Sequence, residues 1–279
     1  MDQPSDSSFL RRARADLDSL EARSQLRRLE IVRGINFCSN DYLGLSTDAR
    51  LREAVTAALA GGSPTGSTGS RLLSGHALIW DELESELAQW GGAEAALYFN
   101  SGYAANTGLF SCVLQRDDVV FSDTANHASI IDGIRLSGAR KVIFPHLDLN
   151  VLEDELRRAS PGRGQKIIAV ESVFSMDGDR APITGLLALA ERYGAELIVD
   201  EAHATGVLGP QGRGLVAAAG ATDRVLAVVH TCGKALAGMG AFVLCSNVLK
   251  QYLVNHARSF IFSTALPPYF AAQARAAIR

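Results

Sequence analysis

Short apolar runs alternate with longer amphipathic stretches along most of this chain, and the alternation constrains the fold more than any other feature. Between residues 95 and 231 the apolar runs have the length of strands and are rich in Val, Ile and Phe. The stretches between them place apolar residues at helical spacing. Strands that alternate with helices are typical of a mostly parallel α/β sheet. We therefore predict an α/β fold.

The same pattern predicts the bounds of individual elements. Residues 9–30 are predicted to form a charged amphipathic helix, because their leucines fall roughly on one side. The next segment, "INFCSNDYLGLS", is predicted to form a short strand and then a turn, and "DARLREAVTAALAGG" a helix with Asp48 near its start. Later strands are predicted at the start of "AALYFNSGYAANTGLFSCVL", which continues into a tight turn and a helix, and in "KIIAVESVFSMDGD", where the strand runs into a loop. The others are predicted in "DVVFSD", "RKVIFP", "AELIVDEAH" and "VLAVVHTCGK".

Composition excludes several classes of protein. The chain has 279 residues, 47% of them hydrophobic, which is enough for one large core. Its net charge of −3 and pI of about 6.1 indicate neither a nucleic-acid nor a membrane partner. The N-terminus has no apolar signal segment, and the four cysteines form no CxxC pair or metal motif. We expect a cytoplasmic protein with reduced thiols and no metal.

Polar side chains follow several of the predicted strands. Ser101, Ser175, Asp200 and Thr231 lie at or just after strand ends, and His127 follows "VVFSD" at the start of a helix. In open α/β sheets, ligands bind beyond the carboxyl ends of the strands. We therefore expect these side chains to line one ligand site.

Two of the polar groups, the carboxylate of Asp200 and the amine of Lys234, predict the kind of ligand. Asp200 and His203 end one apolar run, and Thr231 and Lys234 end the next. A carboxylate can keep a pyridine nitrogen protonated, and an amine can form a Schiff base with an aldehyde. Pyridoxal phosphate requires both of these groups.

Some of the same residues also match motifs of other kinds of protein, and each has a purely structural interpretation. The letters "DEAH" at 200–203 also occur in helicase-type ATPases, but the sequence has no phosphate-binding G-x-x-x-x-G-K-[ST] loop. "GRGLVA" matches a loose dinucleotide pattern without directly following a strand. Taken singly, Asp200 could be a helix cap, His127 and His203 core histidines, and Lys234 a surface lysine.

A family resemblance covers the chain from about residue 35 to residue 270. The segments that carry it are "FCSNDYLGLS", "GSTGSRLLSGH", "NSGYAANTGL", "NHASIIDGIRLSGA", "ESVFSMDGDRAPI", "VDEAHATGVLGPQGRG", "TCGKALAGMGAFV" and "FIFSTALPP". In these segments the chain resembles the α-oxoamine synthases, pyridoxal-phosphate enzymes of fold type I. The resemblance implies a mostly parallel, seven-stranded type of sheet with helices on both faces.

The resemblance also implies roles for individual residues. Lys234 would bind the cofactor covalently, Asp200 would pair with its ring nitrogen, and His127 would stack on the ring; these three would be catalytic. The phenolic oxygen would be held by His203 and Ser175. The phosphate site would comprise Ser101, Gly102, Tyr103, Thr231 and, from a partner subunit, Thr264. Asn40 would lie near the substrate.

The activity implied by the resemblance is a decarboxylating acyl transfer. The pattern is most like the member that joins L-alanine to pimeloyl-CoA, or to the carrier-protein thioester, in biotin synthesis. Glycine C-acetyltransferase or another α-oxoamine synthase is the alternative, and a cofactor-binding fragment without turnover is the alternative of another class. We expect a homodimer. The implied organisation is an N-terminal segment (1–45) and a cofactor-binding domain (46–279), with the family's C-terminal domain absent.

Overall fold

A single seven-stranded sheet forms the centre of the computed structural model, which describes residues 7–159 and 164–279. The strands are β1 (Ala95–Phe99), β2 (Val119–Asp123), β3 (Arg140–Phe144), β4 (Lys166–Glu171), β5 (Ala195–Asp200), β6 (Ala227–Thr231) and β7 (Ala241–Cys245). Their order across the sheet is β1-β7-β6-β5-β4-β2-β3. β7 is antiparallel to both of its neighbours, β1 and β6, and the other adjacent strands pair in parallel. The mostly parallel sheet is confirmed, and β7 is a strand that the sequence did not predict.

The helices include the one predicted in "DARLREAVTAALAGG", α2, which Asp48 caps by accepting a hydrogen bond from the backbone N–H of Arg50 at 2.8 Å. They are α1 (Ser8–Ala22), α2 (Ala49–Ala60), α3 (Leu78–Gly91), α4 (Gly102–Val113), α5 (Ala128–Ser137), α6 (Leu149–Arg158), α7 (Ile183–Tyr193), α8 (Gly214–Ala218), α9 (Asn247–His256), α10 (Arg258–Ile261) and α11 (Tyr269–Ile278). Among the described residues, no helix has both the length and the apolar character needed to cross a membrane.

The core lies on both faces of the sheet, because successive strand residues point to opposite sides. In β4, Ile167 and Ala169 join the apolar cluster that includes α4, α5 and α9. Ile168 and Val170 join the cluster on the other face, with α3, α6, α7 and α11. The predicted helices on both faces are confirmed, and the burial of these central strands explains their continuous apolar runs.

The parallel strands place several polar residues at one edge of the sheet. Glu171 at the end of β4 is in register with Asp200 at the end of β5, and Thr231 ends the next strand, β6. This carboxyl edge is therefore where the strand-end residues singled out in the sequence come together.

The chain divides into two units, residues 1–39 and 40–279. In the first unit, α1 ends at Ala22 rather than at residue 30, because Ser24 has a left-handed backbone with φ 55°. The strand predicted at "INF" does not form, since no second strand occurs among the described residues of this unit to pair with it. The functional division into 1–45 and 46–279 stays a prediction.

Candidate active site

A cavity of about 340 Å³ opens at the carboxyl edge of the sheet, a size within the range of small-molecule sites. It brings together most of the residues predicted to form the site: Asn40, Ser101, Gly102, Tyr103, His127, Asp200, Thr231 and Lys234. These residues come from segments far apart in the sequence, and the sheet places them side by side.

Three predicted residues do not line this cavity. His203 contacts the lining residue Lys234, with its Nε2 atom 2.7 Å from Lys234 Nζ. Ser175 is exposed in the loop after β4. Thr264 is also exposed, and its carbonyl accepts a hydrogen bond at 2.6 Å from the side-chain amide of Asn100, a lining residue. Ser175 and Thr264 are therefore not among the lining residues, and their roles stay predictions, that of Thr264 as a residue of a partner subunit.

Lys234 lies in the connection between β6 and β7. The first and last residues of this connection are joined by a hydrogen bond from Cys232 N–H to the Gly240 carbonyl at 3.0 Å. Burial lowers the pKa of Lys234, although Asp200 and Glu171 act in the opposite direction by favouring its charged form. The neutral, nucleophilic amine is thus more accessible here than on a surface lysine.

His203 is held as a neutral acceptor beside this amine. Burial and the nearby charge of Lys234 lower the pKa of His203 to about 4. Its Nδ1 atom lies 2.7 Å from the hydroxyl of Tyr42. Because the Tyr42 hydroxyl donates its one hydrogen to Asn40 Oδ1 at 3.1 Å, Nδ1 carries the proton that points to Tyr42 and Nε2 accepts from the lysine.

Asp200 is the buried carboxylate of the cavity, with 5% of its surface exposed. Its Oδ1 accepts a hydrogen bond from the backbone N–H of Ala202 at 2.8 Å. Its Oδ2 accepts one from the side-chain amide of Asn106 at 2.6 Å. Both oxygens of Asp200 therefore act as hydrogen-bond acceptors, which is the role that a ring N–H needs from its partner.

His127 is the N-cap of α5, where its Nδ1 atom accepts a hydrogen bond from the backbone N–H of Ser129 at 3.2 Å. Its own backbone N–H donates to Glu171 Oε1 at 2.6 Å. With Nδ1 engaged in the cap, the ring is fixed beside the cavity that it lines. This is a position from which an imidazole can cover one face of a flat ligand.

The N-terminus of α4 also opens onto the cavity. Ser101 caps this helix by accepting a hydrogen bond from Ala104 N–H at 3.0 Å. The N–H groups of Gly102 and Tyr103 come before that bond and have no acceptor within the helix, as at any helix start. Such a terminus is suited to bind a phosphate.

Close packing at this helix start requires a glycine. A Cβ atom at Gly102 would lie 2.6 Å from Cγ2 of Thr231 at the end of β6. The absence of a side chain therefore lets the helix N-terminus approach the strand end, and brings the two predicted phosphate-binding segments together.

Sequence reasoning missed several lining residues, of which Glu171 is the most informative. Burial and the charge of Asp200 raise the pKa of Glu171 to about 8. The signal for it was present, because Glu171 ends its strand just as Asp200 does. Asn106 and Ser129 were also missed; both lie inside helices, where no strand-end rule applies.

The residues present fit pyridoxal phosphate. The cavity combines an amine whose pKa is lowered, a buried carboxylate that already accepts two hydrogen bonds, and a helix N-terminus that the absence of a Cβ at Gly102 brings against β6. These match the aldehyde, the ring nitrogen and the phosphate of the cofactor.

Comparisons with known proteins agree with this fit. The family Aminotransferase class I and II matches residues 32–279. The 8-amino-7-oxononanoate synthase of Trichlorobacter lovleyi is 50% identical over 243 residues, covering 87% of this chain and 61% of that protein. The enzyme of the same name from Citrifermentans bemidjiense is 45% identical over 276 residues, covering 94% of this chain and 70% of that protein.

Solved structures share the fold. A serine palmitoyltransferase from S. paucimobilis, with a bound aldimine of pyridoxal phosphate and myriocin, matches with a TM-score of 0.87 at 30% identity, covering 98% of this chain and 72% of that chain. The present chain thus spans between 61% and 72% of the length of these three relatives. It belongs to the aminotransferase class I and II family, and within it to the pyridoxal-phosphate-dependent α-oxoamine synthases of fold type I.

Proposed function

We propose that this chain carries the cofactor site of an acyltransferase that condenses L-alanine with pimeloyl-CoA, or with the carrier-protein thioester, and releases carbon dioxide. The name printed for the relatives from Trichlorobacter lovleyi and Citrifermentans bemidjiense, 8-amino-7-oxononanoate synthase, supports this choice of substrates. The observation that carries the chemistry is the meeting of Lys234, Asp200 and the α4 N-terminus in one cavity.

The proposed assignments follow from the donors and acceptors present. Lys234 would bind the aldehyde carbon of the cofactor, and Asp200 would accept a hydrogen bond from its protonated ring nitrogen. His203 would hold the phenolic oxygen, as the family resemblance implies, and its Nε2 atom lies 2.7 Å from Lys234 Nζ. Ser175 is exposed and is not among the lining residues, so its bond to the phenolic oxygen stays a prediction.

The phosphate is assigned to the start of α4. The N–H groups of Gly102 and Tyr103 would donate to its oxygens, Ser101 would keep its capping role, and Thr231 would contribute its hydroxyl. His127 covers one face of the ring, and Asn40 lies at the rim of the cavity on the substrate side.

Bound pyridoxal phosphate supplies an electron-accepting ring that stabilises negative charge at Cα of an amino acid joined to it. The free amine of Lys234 would take the Cα proton of L-alanine on Nζ as a general base. Asp200 keeps the ring nitrogen protonated, so that this charge can be accepted. His203 holds the orientation of the amine by accepting one of its hydrogens.

The net reaction balances without an oxidant or reductant. A bond forms between Cα of alanine and the carbonyl carbon of the thioester, and the thiol leaves. The bond from Cα to the alanine carboxylate then breaks to give carbon dioxide, and a proton returned to Cα gives the amino ketone. Lys234 is the group placed to move both protons.

Two experiments test the proposal. Borohydride reduction in the presence of pyridoxal phosphate should attach the cofactor covalently to the native chain and not to Lys234→Ala. Release of free thiol should then be measured with L-alanine or glycine, each with pimeloyl-CoA or acetyl-CoA. Preference for glycine with acetyl-CoA would favour glycine C-acetyltransferase instead. Covalent trapping without any turnover would indicate a cofactor-binding fragment.

We further propose a homodimer in which Thr264 serves the partner's phosphate site. The exposure of Thr264 outside its own cavity supports this arrangement. Sedimentation of the cofactor-loaded protein tests the oligomeric state. In a dimer, Thr264→Ala should weaken cofactor binding without dissociating the subunits; a monomer that binds cofactor normally would contradict the proposal.

A further inference from the structure

Asn106 connects two parts of the cavity that have separate roles in the proposed function. It lies on α4 with only 1% of its surface exposed. Its side-chain nitrogen donates one hydrogen bond to Asp200 Oδ2 at 2.6 Å and another to Ser129 Oγ at 2.9 Å. Both hydrogens of the amide are therefore in use.

The second of these bonds leads on to His127. Ser129 Oγ lies 2.7 Å from His127 Nδ1, the atom that also accepts the backbone N–H of Ser129. Because that nitrogen is an acceptor, the serine hydroxyl donates to it and receives the amide hydrogen of Asn106 in turn. One chain of hydrogen bonds thus runs from Asp200 to His127.

The position of Asn106 is costly for the fold. Asparagine is a weaker helix former than alanine or leucine, yet this one lies inside α4. Its Oδ1 atom is buried and has no hydrogen-bond partner in the described part of the chain. A buried acceptor left unpaired is unfavourable. An apolar side chain would suit the helix better, which indicates that the two donated bonds are the purpose of the residue.

We propose that Asn106 is a positioning residue that fixes the orientation of the Asp200 carboxylate toward the cofactor ring nitrogen. The inference rests on the proposed function, since it concerns the partner assigned to that nitrogen. Asp200 faces a donor at each oxygen, the N–H of Ala202 at Oδ1 and the amide of Asn106 at Oδ2. Neither donor can accept a proton, so the carboxyl group is held as an acceptor only.

Packing between helices sets the reach of Asn106. A Cβ atom at Gly133 of α5 would lie 2.9 Å from the backbone oxygen of Asn106. The glycine therefore lets α4 and α5 approach until the amide spans from Ser129 to Asp200.

The test compares Asn106→Leu with Ser129→Ala. The first variant has a similar volume and cannot donate; the second breaks the link to His127 but leaves the bond to Asp200. Each protein is loaded with cofactor carrying ¹⁵N in its ring, and the ¹⁵N chemical shift is followed against pH. Glu171, Lys234 and Glu201 also act on this region electrostatically, and both variants leave them unchanged.

We expect the ring nitrogen to lose its proton at a pH about one unit lower in Asn106→Leu than in the native protein, since one unit is a tenfold change in the proton equilibrium. Cofactor affinity, measured by equilibrium dialysis, should fall by about tenfold. Ser129→Ala should keep the native midpoint. An Asn106→Leu protein with the native midpoint and affinity would overturn the inference.

A second measurement does not depend on a variant that folds. In the native protein, the ¹⁵N-labelled side-chain amide of Asn106 should show two hydrogens that exchange slowly with solvent. Their shifts should move when cofactor is added, because Asp200 then acquires a new partner. Unmoved shifts would overturn the inference. Failure of the native chain to trap cofactor with borohydride would instead refute the proposed function itself.

Discussion

Lys234 and Glu171 influence one another across the cavity. Burial lowers the pKa of Lys234, whereas the negative charge of Glu171 is one of the two factors that raise it. The pKa of Glu171 is itself raised to about 8 by burial and by Asp200. Above that pH the glutamate is charged and favours the protonated lysine.

This coupling predicts how cofactor uptake depends on pH. Schiff-base formation needs the neutral amine, so its rate should rise with pH and reach half its maximum below 10.5, the ordinary pKa of lysine. Glu171→Gln removes a charge that favours the protonated amine, and should lower that midpoint by about half a unit to one unit. The rate of borohydride-trappable uptake, measured from pH 6 to 11, checks this. Glu196→Gln, exposed at the opposite end of β5, should leave the midpoint in place.

Tyr42 gives a second prediction at this scale. Its hydroxyl lies 2.7 Å from His203 Nδ1 and donates to Asn40 Oδ1 at 3.1 Å. Tyr42→Phe should weaken cofactor binding about three- to tenfold, as expected for one ordinary hydrogen bond. Equilibrium dialysis measures the change. Tyr252→Phe, a partly exposed tyrosine that contacts His256 on α9, is the matched control. Equal affinities for both variants would show that His203 needs no support from Tyr42.

Among the elements, the contact between the start of α4 and the end of β6 is the most sensitive to a small change. Gly102→Ala places a methyl group 2.6 Å from Cγ2 of Thr231, so the helix must move away from the strand. We expect cofactor affinity to fall about tenfold, because the phosphate donors move with the helix.

A second substitution should restore the contact. Thr231→Ser removes Cγ2 and keeps the hydroxyl, so the double variant Gly102→Ala/Thr231→Ser should recover most of the lost affinity. Cofactor affinities of the native protein, both single variants and the double variant, measured by equilibrium dialysis, form a double-mutant cycle. Additive effects would show that the methyl group of Thr231 is not what the new Cβ meets.

The strands and helices also differ in how well the sequence alone predicts them. β5 and β6 were predictable because each is an apolar run that ends in a polar residue, Asp200 or Thr231. β7 was missed, since "AFVLC" follows the glycine-rich stretch after Lys234 with no helix between them. The end of α1 was misplaced because leucine spacing continues past Ala22, whereas the backbone turns at Ser24.

At the scale of the whole molecule, His146 joins three separate segments. It lies after β3, its Nδ1 atom is 2.9 Å from Asp123 Oδ1 at the end of β2, and its Nε2 atom is 2.8 Å from Asp179 Oδ2 in the loop after β4. Burial alone would lower the pKa of His146, but the hydrogen bonds and charges of the two aspartates raise it above 6.5.

The raised pKa makes stability depend on pH in a defined direction. The stabilisation is fully present below pH 6.5 and is lost as the pH rises through the pKa of the folded protein. His146→Gln should cost about 1–2 kcal/mol at pH 5.5, or about 3–6 °C in Tm, and clearly less at pH 8.5. Thermal unfolding at both values, with the more exposed His76→Gln as control, measures it. A Tm difference independent of pH would mean that the charge of His146 contributes nothing.

The candidate site was less predictable from sequence than the fold. Strand-end residues such as Asp200 could be found because parallel strands gather their carboxyl ends at one edge. Asn106 reaches the same cavity from inside a helix, through the close packing that Gly133 permits. Only the packed structure shows that proximity. Ser175 differs from these, since its position after β4 suggested a site residue, whereas it is exposed and is not among the lining residues.

The connection between β6 and β7 differs from the others that leave the carboxyl edge. The chain from β2 to β3 passes through α5, and the chain from β4 to β5 passes through α7, so an inserted residue there can be absorbed in a loop. Residues 232–240 join two directly paired antiparallel strands and contain no helix. One residue more or less would shift the pairing of β6 with β7 or displace Lys234. We therefore expect the length of this segment to be invariant among chains that keep the reaction, while the crossover lengths vary.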